Sequence, residues 1–183
     1  MINFSNKNIS VVTGADINNI TALLNSAYRG EDSRKGWTTE AHLIDGNVRT
    51  DKNHLLQVVH QAGSVILKYS SNTGEIIGCV NLQKHDDQVY LGLLSVSPEL
   101  QGGGVGKQLL KAAEEYAQQL NCQSIYMTVI TAREELINWY KRHGYRDTGE
   151  RKPFPEDGLT GKHLQELEFM VLEKIVVPNQ PQV

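Results

Sequence analysis

Gln88 to Gly106 reads QVYLGLLSVSPELQGGGVG and runs without a break into KQLLKAAEEYAQQL. The β-rich text up to Val96 predicts a strand, Pro98 marks a short turn, and the glycines make a loop. The apolar spacing that follows predicts a helix whose first turn is Gly104 to Lys107. Gly102, Gly103 and Gly104, followed by Gly106, let the backbone approach a ligand closely and take up positive φ, because no Cβ stands in the way. The N–H groups of such a loop converge with those of the first helical turn, where the helix dipole adds partial positive charge. The junction therefore suits an anion, and a pyrophosphate above all. Glycine-rich turns also serve as plain connections, so the loop alone leaves both readings open. Two other phosphate-binding patterns are excluded. Gly106-Lys107 is followed by Gln108 where the phosphate loop of nucleotide hydrolases has serine or threonine. Nor does an acidic residue end a second strand at the distance a dinucleotide-binding unit requires.

Working outward toward the N-terminus, Gln88 to Val96 is the third member of an antiparallel meander. Ser64 to Tyr69 and Glu75 to Leu82 form a hairpin about Ser71-Asn72-Thr73-Gly74, and His85-Asp86-Asp87 supplies the second turn. Ahead of it, Ile9 to Thr13 reads as a short strand. Asp16 is placed to cap a helix carrying Ile17, Ile20, Leu23, Leu24 and Ala27, which ends near Tyr28-Arg29-Gly30. A loop follows, with a short helix expected to begin near Thr38 and a further helix capped by Asp51. Beyond the glycine loop, Val105, Leu109, Ala113, Tyr116, Ala117 and Leu120 share the helix face that covers the sheet. Gln123 to Ile130 is a strand parallel to the one before the loop, since a helix crosses between them. Arg133 to Arg142 is a short helix stopped at His143-Gly144, and Tyr145 starts another strand. Glu150 to Gln165 reads as a long functional loop, Glu166 to Val177 as the closing strand, and Pro178 to Val183 as a fraying tail.

The bulk numbers narrow the class. A chain of 183 residues accommodates a single domain spanning 1–183, and 39% hydrophobic with 21% charged residues is ordinary globular composition. A net charge of −3 gives no basic footprint for nucleic acid and suits a cationic partner better. No apolar run approaches a membrane span, and MINFSNKNIS lacks an apolar core, so a cytoplasmic protein without membrane partners is expected. Cys79 and Cys122 sit in apolar text without metal-ligand spacing, which predicts buried thiols and no bound metal.

Gln101-Gly102-Gly103-Gly104-Val105-Gly106 resembles the Q/R-x-x-G-x-G/A signature of the GNAT superfamily of acetyl-CoA-dependent N-acetyltransferases. Tyr140-Lys141-Arg142-His143-Gly144-Tyr145 resembles the tyrosine-containing helix end of the same family. The resemblance runs from about Ile9 to Val177 and is most specific between Tyr90 and Tyr145. It implies an α/β (α+β) fold whose mixed, mainly antiparallel sheet of about six to seven strands is flanked by helices. A splayed parallel strand pair would receive the pantetheine arm of acetyl-CoA. Leu94, Ser95 and Val96 would pair with that arm as though it were an extra strand, and Gln101, Gly102, Gly103, Gly104, Val105, Gly106 and Lys107 would hold the pyrophosphate. Tyr140 would be the general acid for the departing thiolate, and Asn138 a cofactor contact. Arg133 stands where the family often has asparagine and is expected to reach a phosphate instead.

No carboxylate lies in Tyr90 to Val96, which leaves deprotonation to water leading to Glu40 or to the His85-Asp86-Asp87 turn. Around the cleft mouth, Arg29, Trp37, Glu40, Arg49 and Phe154 are the candidate acceptor residues. Trp37 and Phe154 would clamp an apolar part of the acceptor, and Glu40 would attract an ammonium. The resulting expectation is acetyl transfer to a primary amine of a small molecule. A peptide or protein amine, or a non-catalytic acyl-CoA-binding regulatory module, remain the alternatives. Assembly state, including a homodimer, stays open.

Overall fold

Alternation along the central strands decides how the molecule is layered. In a strand, successive side chains point to opposite faces, so text that is apolar at every position must be covered on both sides. A computed structural model of the chain describes residues 2–177; the expected fraying of Pro178 to Val183 lies outside them. Strands β1 (Ile9–Val11), β3 (Ser64–Ser70), β4 (Ile76–His85), β5 (Gln88–Val96), β6 (Ser124–Ile130), β7 (Arg146–Pro153) and β9 (Glu168–Ile175) form a seven-stranded sheet in the order β1-β3-β4-β5-β6-β9-β7. Only β5 and β6 run parallel. The mixed, mainly antiparallel sheet is as expected. Two short strands, β2 (Ile44–Asp45) and β8 (Lys162–His163), pair separately.

Helices α1 (Ile17–Tyr28) and α3 (Lys52–His60) cover one face, where Ile20, Leu24 and Leu55 meet Ile66 and Cys79. Helix α4 (Val105–Gln119) covers the other, where Leu109, Ala113 and Tyr116 meet the alternating neighbours Leu67 and Val80. Helix α5 (Glu134–Arg142) joins that second core through Leu136 and Ile137. Asp51 caps α3, its carboxylate accepting from the His54 N–H at 2.8 Å.

Three local expectations are corrected. No helix begins at Thr38. A four-residue helix, α2 (Gly30–Ser33), precedes it instead, and the Thr39 hydroxyl accepts from the Ala41 N–H at 3.1 Å, a local bond that competes with helix formation. Asp16 stands at the start of α1 without capping it, because its carboxylate is engaged by Thr13 and by Lys68 at 2.7 Å. The loop expected from Glu150 to Gln165 is shorter, since Arg151, Lys152 and Pro153 continue β7 against Met170, Phe169 and Glu168, leaving 154–161 as loop before β8.

Gly78 sets how closely α4 approaches the sheet. A Cβ there would lie 2.8 Å from Val105 Cγ1 and 3.2 Å from the Ser95 carbonyl oxygen. Gly78→Ala therefore overpacks the junction beside the glycine loop and is expected to cost about 1–3 kcal/mol. Urea denaturation measures this, and an unchanged midpoint would show that the α4 start yields freely.

Candidate active site

β5 hydrogen-bonds to β6 at Gln88, Val89 and Tyr90, and the pairing ends there. The cause lies just beyond, between Gly92 and Ser95. The β4–β5 register shifts between Cys79 and Asn81, and Leu93 sits at φ 52°, in the left-handed region that a leucine enters only at a cost of about 1–3 kcal/mol. This bulge turns the end of β5 away from β6. The Ser97 N–H donates to the Ile77 carbonyl at 2.8 Å, so alternation turns the polar groups of Val96 and Leu94 toward the opened side. Their carbonyls are taken by side chains there: the Tyr28 hydroxyl donates to Leu94, and Gln101 Nε2 donates to Val96 at 3.1 Å.

A cavity of about 620 Å³ follows the opened edge. Leu94, Ser95 and Val96 line one side, the glycine loop lies at its end, and Asn138, Trp139 and His143 form an opposite wall. Gly102 and Gly104 have φ of 88° and 85°, and a Cβ on either would meet nothing within 4 Å. Gly104 is the residue before α4, no side chain caps that end, and the first intrahelical bond runs from the Gln108 N–H to Gly104. The N–H groups of Val105, Gly106 and Lys107 are thus left without helical partners, as anion binding at a helix start requires.

Tyr140 owes its position to the end of α5. The Tyr145 N–H returns to the Tyr140 carbonyl at 3.2 Å and the Gly144 N–H to Lys141 at 3.1 Å, with Gly144 at φ 93°, a Schellman termination. The Tyr140 and Tyr145 rings meet edge-on at 5.7 Å, the contact that accompanies such an end. Burial raises the Tyr140 hydroxyl pKa well above the usual tyrosine range; the nearby Tyr28 and Tyr145 add to the shift and Arg133 opposes it.

Tyr28, Leu94, Leu136 and Tyr140 also line a second cavity, of about 210 Å³, on the far side of the splay. Glu40, Arg49, Arg133 and Phe169 complete its wall. Glu40 is buried between two guanidiniums: Arg29 Nη1 donates to one carboxylate oxygen and Arg133 Nη1 to the other, at 3.2 Å.

These positions revise several expectations. Arg133 faces Glu40 and the Thr38 carbonyl (2.6 Å), away from the glycine loop, and so does not reach a phosphate held there. Glu40 has both oxygens engaged and is not free to attract an ammonium. Arg29 is buried in that ion pair and binds the Thr160 carbonyl at 3.3 Å, which makes it a structural residue. Trp37 lines the larger cavity beside Trp139, their rings 6.0 Å apart, and not the one holding Glu40. Phe154 stacks on Phe169 at 4.2 Å and supports the smaller cavity from behind. Gln101 lines the larger cavity, but its amide is spent on Trp37, Thr38 and Val96. Sequence reasoning missed Tyr28. It ends a plain amphipathic helix and carries no motif, yet burial pushes its hydroxyl up to about 12, with Arg133 opposing and Glu40 adding.

The model of the acetyltransferase (GNAT) family matches residues 18–145. A thialysine N-epsilon-acetyltransferase of Sus scrofa is 28% identical over 79 residues, 43% of this chain and 46% of that protein. An N-acetylaspartate synthetase of Danio rerio is 26% identical over 100 residues, 54% of this chain and 36% of that protein. The matches therefore span less than half the length of these relatives. Among solved structures, the ribosomal-protein-S18-alanine N-acetyltransferase of Escherichia coli superposes with a TM-score of 0.68 at 11% identity, over 96% of this chain and 97% of that one.

Removing the Glu40 charge leaves two buried guanidiniums unpaired. Glu40→Gln is expected to destabilise the fold by about 3–5 kcal/mol, read by thermal and urea unfolding. A loss under 1 kcal/mol, roughly the value of an exposed pair, would contradict the burial assigned to this cluster.

Proposed function

Because the chain belongs to the acetyltransferase (GNAT) family, we propose that it transfers the acetyl group of acetyl-CoA to a primary amine of a small molecule, with residues 2–177 acting as one catalytic unit. The observation that carries this reading is the meeting of two cavities at Tyr28, Leu94, Leu136 and Tyr140, one of them ending in a glycine loop. The cofactor fits the larger cavity. Val105, Gly106 and Lys107 offer free N–H groups to its pyrophosphate, Gly102 and Gly104 leave the loop clear of side-chain carbon, and the edge of Leu94 to Val96 offers strand-like pairing to the pantetheine. Asn138 adds a side-chain contact from α5. The buried free thiols Cys79 and Cys122 suit a reducing compartment, hence the cytoplasm.

When bound, acetyl-CoA supplies an activated acetyl thioester. The amine, having released its ammonium proton to water, enters from the smaller cavity. The Leu94 N–H donates to the carbonyl oxygen as negative charge builds there. As the new C–N bond forms and the C–S bond breaks, the Tyr140 hydroxyl gives its proton to the departing sulfur. The surplus proton on nitrogen is lost through solvent, and the tyrosine is restored.

Thiol release from acetyl-CoA across polyamines, amino acids, aminoglycosides and short peptides tests the reading, with cofactor binding followed by thermal shift. Binding without turnover of any amine would reject it. Tyr140→Phe is expected to lower kcat by roughly 10²–10⁴-fold with acetyl-CoA affinity nearly unchanged; an unaltered kcat removes Tyr140 from the role. Gly104→Val places a branched side chain where φ is 85° and the cavity is open. It should abolish cofactor binding at a fold cost of about 1–2 kcal/mol, and retained micromolar affinity would displace the pyrophosphate from this loop.

The raised Tyr140 pKa fixes the sign of the pH profile. The acid stays protonated as pH climbs, so the rate rises with acceptor deprotonation and shows no descending limb up to about pH 10, the ordinary tyrosine pKa. A pH-rate profile with a fall below that value would assign the acid elsewhere.

A further inference from the structure

The charges around the smaller cavity do not suit a polycation. Its charged lining consists of Glu40, Arg49 and Arg133. Both oxygens of Glu40 are engaged, one by Arg29 and one by Arg133, so the carboxylate is neutralised with one guanidinium in excess. Arg49 adds another. Its guanidinium carbon lies 5.8 Å from the centre of the Tyr28 ring, as does that of Arg133, and among the described residues it forms no ion pair. Asp157 lies near enough for its carboxyl to feel Arg49, but it stands outside the cavity lining and makes no ion pair with Arg49; its Oδ1 accepts from the N–H groups of Leu159 and Thr160 and from the Thr160 hydroxyl. The Arg49 N–H donates to Asn25 Oδ1 at 2.6 Å, which fixes the backbone from which this side chain projects. The uncharged wall mixes Tyr28, Tyr90, Thr128 and Tyr140 with the apolar Leu91, Met127, Ile130 and Phe169. At about 210 Å³ the cavity falls below the roughly 300–1,000 Å³ of pockets for drug-sized ligands, which suits a molecule of amino-acid size.

We infer that the acceptor is a small amine that also carries a carboxylate or an equivalent oxyanion, with Arg49 as its principal anchor, Arg133 beside it, and the amine directed toward Leu94 and Tyr140. The inference rests on the acetyl-transfer reading above and narrows its acceptor class. A planar guanidinium pairs with a carboxylate through two parallel N–H···O bonds, which fixes orientation as well as affinity. The oxyanion also supplies the negative charge that the cavity lacks.

The test uses matched amines that differ only in the anion: lysine against 1,5-diaminopentane, leucine against isopentylamine and leucinamide, and phenylalanine against phenethylamine. Thiol release from acetyl-CoA gives kcat/KM for each. The carboxylate-bearing member of at least one series should be preferred by roughly tenfold to a hundredfold, the worth of one charge-assisted contact. Arg49→Met, checked for folding by its thermal melt, should raise KM for that member with kcat largely kept and bring the ratio within its pair toward one. Arg49→Lys, which keeps the charge without the fork, should restore part of it. Turnover with no preference, or with preference for the members that lack the anion, overturns the inference and leaves the acetyltransferase reading standing. An undiminished preference in Arg49→Met also overturns it. Cofactor binding without turnover of any amine overturns both.

Discussion

Past Tyr90 the kinked strand β5 can keep its hydrogen bonds to β4 or to β6, but not to both. It keeps β4, pairing Ser95 with Cys79 and Val96 with Gly78, while β6 goes on pairing with β9 as far as Ile130 opposite Phe169. The left-handed Leu93 is the local cost of that choice. A wedge opens in the middle of a sheet otherwise continuous from edge to edge, and a wedge between strands leaves backbone polar groups without their ladder. Buried groups of that kind need partners. The Tyr28 hydroxyl and the Gln101 amide satisfy the carbonyls of Leu94 and Val96, leaving the N–H groups on the same side for a ligand. The cavity is thus a consequence of strand geometry, and side chains only finish it.

The wedge would be an open slot without something to close it near Tyr28. The segment from Gly36 to Glu40 does this because it is tied from two sides. Gln101 of the glycine loop holds the Trp37 N–H and the Thr38 hydroxyl, at 2.8 and 2.7 Å. Arg133 at the start of α5 holds the Thr38 carbonyl and Glu40. Gly36 permits the first tie, since a Cβ there would lie 2.4 Å from Gln101 Oε1. The second tie is ionic and buried. Removing three charges from water is expensive, and their mutual attraction repays that only with complete pairing. Such a cluster contributes less to net stability than to fixing one arrangement. Here that arrangement stands between the cavity that ends in the glycine loop and the one lined by Arg49 and Arg133.

What the sequence disclosed and what it withheld divide along the same line. The glycine loop, α4 and the Tyr140 to Tyr145 helix end were legible because each is local. Positive φ favours glycine, a helix start leaves free N–H groups, and this Schellman end has its glycine four residues past the tyrosine. The crossover rule gave the parallel β5–β6 pair, but not the insertion of β9 between β6 and β7. The acceptor side was misread because its chemistry is set by contacts between residues far apart in the chain. Glu40 and Arg133 are separated by 93 positions and Arg29 and Thr160 by 131. A glutamate in a polar loop carries no mark of the two arginines that will enclose it. Tyr28 was invisible for the same reason: its partner, Leu94, lies 66 residues away on a bulge that alternation alone does not announce.

The same distant pairing bears on the proton that the nucleophile must lose. Strand β5 offers no carboxylate between Tyr90 and Val96, and Glu40, the acidic residue lining the smaller cavity, is held by two arginines. A base with ordinary carboxylate freedom is therefore missing where the amine would stand. The cavity compensates electrostatically. Arg49 and Arg133 face it together with the hydroxyls of Tyr28, Tyr90 and Tyr140, so an ammonium placed there would meet like charge, which lowers its pKa. An acceptor whose own oxyanion is taken up by Arg49 keeps that push from Arg133 on its nitrogen. On the acetyl-transfer reading, loss of the proton to water would then need no dedicated side chain, the field of the arginines standing in for a general base.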